Sequence, residues 1–310
     1  MAGGQGQLAR PGSRAAWLGP VIAGAALVVV AFAVASYIAD SGPGASALDQ
    51  MIHDLEEQIR ADPGNADLRV AVADAYLKDG RPRDALTQYE EALRLDDKRI
   101  DALYGMGLAY YALGELDQAG AAFQTVVKQS QDNPVQALDR RLQGAHYYLG
   151  LVLRQQGRLD EAINEFRIAL GMNRADADTL VELGRTFALK QQWEDAVAAF
   201  EIAVAYVPDY VEAYRELEAA ARAQGDEAKA TYARAMVDVV EGNPKRAVEP
   251  LRSVASESEN SRYWWALGYA LEQAGDVEGA KEAYRRATEI NPGELLAADA
   301  LRRLEVTTEQ

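Results

Sequence analysis

The sequence contains no cysteine, only two histidines, and fewer basic than acidic side chains. The absence of cysteine excludes disulfides, thiol nucleophiles, thiolate zinc sites and covalent haem attachment. His53 and His146 leave few options for metal binding or acid–base chemistry. The net charge of −16 argues against nucleic acid as a partner, because phosphate backbones require clustered lysine and arginine. The composition therefore favours a protein that is not an enzyme and that holds no cofactor or metal.

The first feature that is present is a long apolar run. Residues 15–39 contain no Asp, Glu, Lys, Arg or His. As a helix, this run would reach about 37 Å, enough to cross a hydrocarbon core of ~30 Å with some tilt. Trp17 and Tyr37 stand near its two ends, where aromatic rings favour the membrane interface. The run therefore predicts one transmembrane anchor over residues 15–39.

Charged residues around this run predict its orientation. Arg10 and Arg14 precede it, whereas the stretch that follows it holds five acidic residues and no lysine or arginine before Arg60. The positive-inside rule then places a tail of residues 1–14 in the cytoplasm and the remainder outside, as in a single-pass plasma membrane protein. A cleaved signal peptide is the alternative, since small residues over 31–35 offer cleavage sites. The run is longer than the roughly 7–15 apolar residues of a signal peptide, which favours a retained anchor.

Beyond a short Gly-, Pro- and Ser-containing linker at 40–47, apolar residues recur at helical spacing. They predict a leading helix at 48–60. A signature of small and aromatic residues then recurs five times along the chain, first as Ala73, Tyr76, Gly80, Ala85, Tyr89 and Ala92. The later copies follow after steps of 34, 43, 34 and 84 residues. Such periodicity is typical of stacked helical repeats.

Each type in the signature has a physical role. Small residues allow paired helices to approach closely, the aromatic residues fill the space between pairs, and glycines such as Gly80 end the first helix. The signature predicts clear repeats near 66–99, 100–133, 143–176, 177–210 and 261–294. Nine extra residues near 134–142 are expected to lengthen the first helix of the third repeat. The degenerate stretch 211–258 is expected to hold an additional helix or a decayed repeat, with a kink or early end at Pro250, and 294–306 a capping helix.

The period and residue types resemble the tetratricopeptide repeat family, and Trp264, Leu267 and Gly268 match its opening motif closely. The resemblance implies an all-α, right-handed helical solenoid, preceded here by the transmembrane helix. In that family, first helices line a groove that binds peptides or proteins. The groove residues that the resemblance indicates are Tyr104, Tyr111, Tyr147, Arg154, Arg185, Arg215, Arg222, Arg262, Trp265 and Tyr269.

Five arginines interleaved with aromatic residues are unusual in so acidic a chain. Arginine donates bidentate hydrogen bonds to carboxylates, and aromatic rings provide apolar contact. The pattern predicts a groove for a protein or peptide segment of acidic character, including a C-terminal carboxylate. The alternative is that these arginines are ordinary solvated positions on amphipathic helices. Of the two histidines, His53 is expected to be solvated and His146 to be a hydrogen-bonded core residue. No nucleophile, base and orienting group combine into a catalytic site.

A second resemblance covers residues 48–95. Leu48, Met51, Leu55 and Tyr76, with the generic repeat positions around them, look like the periplasmic repeat domain of bacterial cytochrome c maturation proteins. That resemblance implies a chaperone-like factor that binds apocytochrome c. The sequence as a whole predicts a membrane-anchored protein-interaction scaffold in the bacterial envelope. The alternatives are the apocytochrome factor and a regulatory scaffold of an envelope enzyme complex.

Overall fold

The computed structural model describes residues 46–130 and 140–308, and within these ranges all regular structure is helical. The chain divides into two compact units, with the boundary between Gln118 and Ala119. The helices are α1 (Ala47–Ala61), α2 (Ala66–Lys78), α3 (Pro82–Leu95), α4 (Ile100–Leu113), α5 (Leu116–Ser130), α6 (Arg140–Gln155), α7 (Leu159–Met172), α8 (Ala177–Leu189), α9 (Trp193–Tyr206), α10 (Val211–Gln224), α11 (Glu227–Val240), α12 (Pro244–Ser256), α13 (Ser261–Gln273), α14 (Val277–Ile290) and α15 (Leu295–Thr308). The all-α repeat architecture expected from the sequence is confirmed.

Several predictions concern residues outside those ranges. The cytoplasmic tail at 1–14, the anchor at 15–39 and most of the linker at 40–47 lie there, as do residues 134–139 of the predicted extension of the third repeat. Among the helices of residues 46–130 and 140–308, none has the length and apolar character needed to cross a bilayer. The anchor over 15–39 therefore stays a prediction.

The helices of the first unit begin and end at local capping signals. Ser46 and Asp49 form a reciprocal capping box, in which each side chain accepts a hydrogen bond from the other residue's backbone N–H. The Asn65 side chain accepts hydrogen bonds from two backbone N–H groups at the start of α2. At the other end of a helix, Gly114 ends α4 with a φ of 76°, in the left-handed region that glycine adopts without strain.

Close contacts between glycine and an aromatic ring hold the helices together. In the first unit the ring of Tyr89 on α3 packs against Gly105 on α4, and the Tyr89 hydroxyl donates a 2.5 Å hydrogen bond to Asp74 on α2. That contact joins neighbouring repeats, whereas in the second unit a glycine–aromatic contact joins the two helices within each clear repeat. The pairs are Gly150 with Phe166, Gly184 with Phe200, and Gly268 with Tyr284. These contacts match the packing roles that the repeat signature predicts.

One additional helix interrupts the alternation in the second unit. After the hairpin of α10 and α11, α12 is a single helix that belongs to no pair. It packs between α11 and α13, where the last signature begins. The 84-residue step in the sequence thus contains a single extra helix. Although α12 contains Pro250, it continues to Ser256 without a break. Three tyrosines contact one another across this region: Tyr214 and Tyr232 meet edge to face with ring centroids 6.1 Å apart, and Tyr232 and Tyr263 are tilted with centroids 5.1 Å apart.

The last helix, α15, ends the stack. Its inner side buries Ala297 and Leu304 against the preceding pair, while Leu295 is exposed. This is the capping arrangement expected near 294–306.

Candidate functional site

The first helices of three consecutive pairs, α6, α8 and α10, form one continuous surface in the second unit. Gln143 at the start of α6 donates a 2.7 Å hydrogen bond to Asp176, the N-cap residue of α8. One repeat further on, the hydroxyl of Tyr210, the N-cap residue of α10, donates a 2.7 Å hydrogen bond to Asp178. These bonds align the three helices side by side. We call the face made by α6, α8 and α10 the first-helix surface.

A network of alternating charge crosses this surface. Arg154 of α6 lies 2.5 Å from the Glu182 carboxylate of α8, and Glu182 also accepts a 2.7 Å hydrogen bond from Arg185. Arg185 then reaches α10, where its Nε donates a 2.9 Å hydrogen bond to Glu216 and its Nη2 binds Glu212. The network therefore links three helices through side chains alone.

Partial burial strengthens this network. Glu182 is only 9% exposed, and the side chains of Arg154 and Arg185 are 20% and 24% exposed. Burial alone would lower the pKa of Arg185, but the adjacent carboxylates of Glu182, Glu212 and Glu216 raise that pKa above its ordinary value. Arg185 is accordingly a permanent cation that is already surrounded by anions.

The two predicted arginines of α10 also form ion pairs. Arg215 binds Glu241 at the end of α11, and Arg222 lies 2.8 Å from Glu218 one turn earlier on its own helix. Both guanidinium groups are exposed, so solvent weakens these pairs.

The predicted residues on α13 are arranged differently. The Arg262 guanidinium lies 5.4 Å from the Trp265 ring centroid, and Trp265 stacks on Tyr269 at 5.7 Å. Trp265 is only 5% exposed, whereas Arg262 and Tyr269 are half-buried. Trp265 is therefore a packing residue of the repeat, and only its neighbours reach the surface.

The three remaining predicted aromatic residues are half-buried. Tyr147 on α6 stands edge-on to Tyr148, with ring centroids 5.2 Å apart. Tyr104 and Tyr111 lie on α4, which belongs to the first unit. Of the ten predicted groove residues, the structure thus groups Tyr147, Arg154, Arg185, Arg215 and Arg222 on the helices of the first-helix surface.

Sequence reasoning missed the glutamates that bind these arginines. Glu182 precedes Arg185 by three residues and Glu218 precedes Arg222 by four, spacings that put both partners on one helix face. Those two contacts could have been found from spacing. The other partners could be identified only from the packing of neighbouring helices. They are Glu212 and Glu216, which bind Arg185, and Glu241, which binds Arg215.

The histidines are placed as the sequence predicts. His146 is buried on α6, with its Nδ1 2.6 Å from Glu165 on α7, while His53 is exposed beside Glu57. In the parts of the chain that the structure describes, there is no cluster of three histidine, aspartate or glutamate side chains suited to a metal ion.

Comparison with known proteins supports the repeat assignment. Sequence models of the tetratricopeptide repeat match residues 70–134, 135–179 and 261–294. The chain is 25% identical over 219 residues to DnaJ homolog subfamily C member 3 of Gallus gallus, a match covering 69% of this chain and 41% of that protein. The chain thus spans less than half the length of the curated relatives that it matches.

Two solved structures show the same fold. The C-terminal part of a repeat-containing protein from Cytophaga hutchinsonii is 14% identical, with a TM-score of 0.52, and the match covers 89% of this chain and 99% of that chain. Residues 41 to the end of MamA from Desulfovibrio magneticus are 23% identical, with a TM-score of 0.50, covering 58% of this chain and 96% of that one.

Proposed function

Because this chain belongs to the tetratricopeptide repeat family, we propose that it is a protein-interaction scaffold whose first-helix surface binds an extended segment of a partner protein. The network of Arg154, Glu182 and Arg185 is the observation that supports this most directly. Together with Glu216 of α10, it holds charged, partly exposed groups in fixed positions on three consecutive first helices. A surface organised before binding loses little side-chain freedom when a partner docks, which favours affinity.

The place of action is part of the proposal. The apolar run over 15–39 and the arginines before it support a single-pass anchor with the repeats outside the cytoplasm. In this arrangement the scaffold holds its partner near the membrane. We propose no catalytic role for the chain, because the paired charges on the first-helix surface bind one another in ion pairs and are not arranged as nucleophile, base and orienting group.

The second candidate is the chaperone-like factor for cytochrome c maturation, favoured by the resemblance over residues 48–95. It makes a separate prediction: a peptide with the CxxCH motif should bind the purified protein, and the same peptide with serine in place of both cysteines should bind more weakly. If the chain is instead a regulatory scaffold of an envelope enzyme complex, its isolation from membranes should recover the same enzyme subunits each time.

Site-specific photo-crosslinking tests the location of the binding surface. Ala219 is exposed on α10, one turn from Arg215, while Ile202 is exposed on α9, a second helix. A photoreactive residue at 219 should crosslink a partner in cells, and one at 202 should not. Arg154→Ala combined with Arg185→Ala should change the yield at 219. Adducts formed from position 202 alone would place the interface on the second helices and contradict the proposal.

A further inference from the structure

The ion pairs of the first-helix surface leave the carboxylates of Glu212 and Glu216 more exposed than the guanidinium groups of Arg154 and Arg185. Arg185 directs Nε, Nη1 and Nη2 to three different glutamates, so each of its nitrogens already has a carboxylate partner. Glu212 and Glu216 each use only Oε1 in these contacts. Their side chains are 55% and 33% exposed, so the second oxygen of each carboxylate remains available to a ligand.

The net charge of this part of the surface is negative, which also favours a cationic ligand. Two arginines, Arg154 and Arg185, face the three carboxylates of Glu182, Glu212 and Glu216. The flanking arginines on α10, Arg215 and Arg222, are balanced by Glu241 and Glu218, so including these two pairs leaves the net charge of the surface unchanged. With a net charge of −16, the whole chain adds a long-range field that attracts cations.

From this geometry we infer that the partner segment is basic, with lysine or arginine side chains that bind Glu212 and Glu216. The inference rests on the proposed function and names the chemistry of its partner. It reverses the acidic ligand that the arginines suggest when the sequence is read alone. An acidic segment would compete for Arg154 and Arg185 with glutamates of the same chain that already bind them, and it would approach the exposed carboxylates of Glu212 and Glu216.

Two peptides and the full-length protein test the inference. One fluorescein-labelled peptide alternates lysine with alanine, and the other has glutamate in place of each lysine. Fluorescence anisotropy at low and moderate salt should show binding of the basic peptide and none of the acidic one. The double variant Glu212→Gln with Glu216→Gln should weaken the basic peptide about tenfold. The control pairs Glu227→Gln with Glu259→Gln, two exposed glutamates that change the net charge equally, and it should leave the affinity close to that of the unaltered protein.

Removing an arginine from this surface should change the affinity for a basic peptide and for an acidic peptide in opposite directions. Arg185→Gln releases three carboxylates and should strengthen the basic peptide several-fold. Arg215→Gln releases Glu241 at an exposed position, where the substitution should not disturb folding. It should also strengthen binding of the basic peptide, but less than Arg185→Gln does. Circular dichroism checks that each variant keeps its helices.

The outcomes separate this inference from the proposed function. Acidic-peptide binding that is lost in Arg185→Gln would overturn the basic partner while leaving the first-helix surface as the binding site. If binding of the basic peptide falls as much in the control pair as in Glu212→Gln with Glu216→Gln, the binding depends on net charge alone. That result would also overturn the inference. If neither peptide binds, or if crosslinks form only from position 202, the inference fails, and in the latter case the proposed function fails with it.

Discussion

Phe166 packs so closely over Gly150 that a β-carbon on residue 150 would stand 2.7 Å from the ring. Gly150 lies in the middle of α6, where its conformational freedom is not needed, and its role is to let α7 approach. The same contact recurs between Gly184 and Phe200. The repeat is therefore held by a ring on the second helix that fills the space left by a missing side chain on the first.

Replacing Gly150 with alanine should destabilise the second unit. The added methyl group must displace Phe166, which is fully buried, so we expect a loss of about 1–3 kcal/mol in the free energy of unfolding. Gly171 provides the control, because a β-carbon there meets open space near the end of α7. Gly171→Ala should raise stability by about 0.5–1 kcal/mol. Urea denaturation of both variants measures the difference, and equal midpoints would contradict the packing role.

Neutralising Glu182 should disturb the network on the first-helix surface. Glu182→Gln leaves Arg154 and Arg185 close together without the buried anion between them, which should cost about 1–3 kcal/mol. Because the pair is partly buried, added salt should recover only part of that loss. Glu227→Gln, at an exposed site in the first turn of α11, should cost at most about 0.3–1 kcal/mol through the lost interaction with the helix dipole. Unfolding midpoints at low and high salt provide the measurement, and an unchanged midpoint for Glu182→Gln would argue that the network is only a surface feature.

Tyr76 should make the first unit sensitive to alkali. Burial, together with the 2.5 Å hydrogen bond that its hydroxyl donates to Glu56, raises the pKa of Tyr76 to about 12. An unfolded tyrosine ionises near 10, so the stability that Tyr76 contributes is complete below pH 10 and is lost as the pH rises towards 12.

The comparison with Tyr76→Phe isolates this residue from the other tyrosines. At neutral pH the unaltered protein should be more stable by about 1 kcal/mol, through the hydrogen bond to Glu56. That advantage should shrink between pH 10 and 12, as followed by urea denaturation at several pH values. A difference that stays constant over this range would show that Tyr76 ionises alike in the folded and unfolded chain.

Trp265 should matter for folding more than for binding. Since it is 5% exposed and stacked on Tyr269, Trp265→Ala should cost about 3–5 kcal/mol in unfolding free energy. Tyr269→Phe, which keeps the stacked ring, serves as its control and should change stability much less. Thermal unfolding of the two variants distinguishes them, and a stable Trp265→Ala protein with weakened partner binding would instead restore Trp265 as a groove residue.

The predicted anchor can be tested directly on membranes. If residues 15–39 are retained, the full chain should remain in the membrane pellet after carbonate and high-salt washing. Adding lysines just after Asp40 should disturb the orientation, because the present charge bias rests on Arg10 and Arg14. A mature N-terminus near residues 32–36, found by mass spectrometry, would show cleavage and secretion instead.

Much of the fold could be predicted because its signals are local in the sequence. The spacing of Gly150 and Phe166, or of Gly268 and Tyr284, repeats at fixed offsets and defines a helix pair wherever it occurs. The 84-residue step allowed for an additional helix or a decayed repeat, and the structure has the additional helix α12. Proline removes one backbone donor, but α12 continues past Pro250 to Ser256, so the early end that the sequence allowed there does not occur.

The sequence by itself determined the all-helical repeat, its helix pairs, their capping residues and the core position of His146, since each depends on neighbours within one or two turns or one repeat. Only the tertiary structure decided the chemistry of the first-helix surface. The spacing within its own helix gives Arg185 one carboxylate partner, Glu182, whereas in the structure Glu212 and Glu216 of the next first helix bind it as well. Charge acts across space between helices some thirty residues apart in sequence, so the partners of an arginine depend on packing that no local pattern contains.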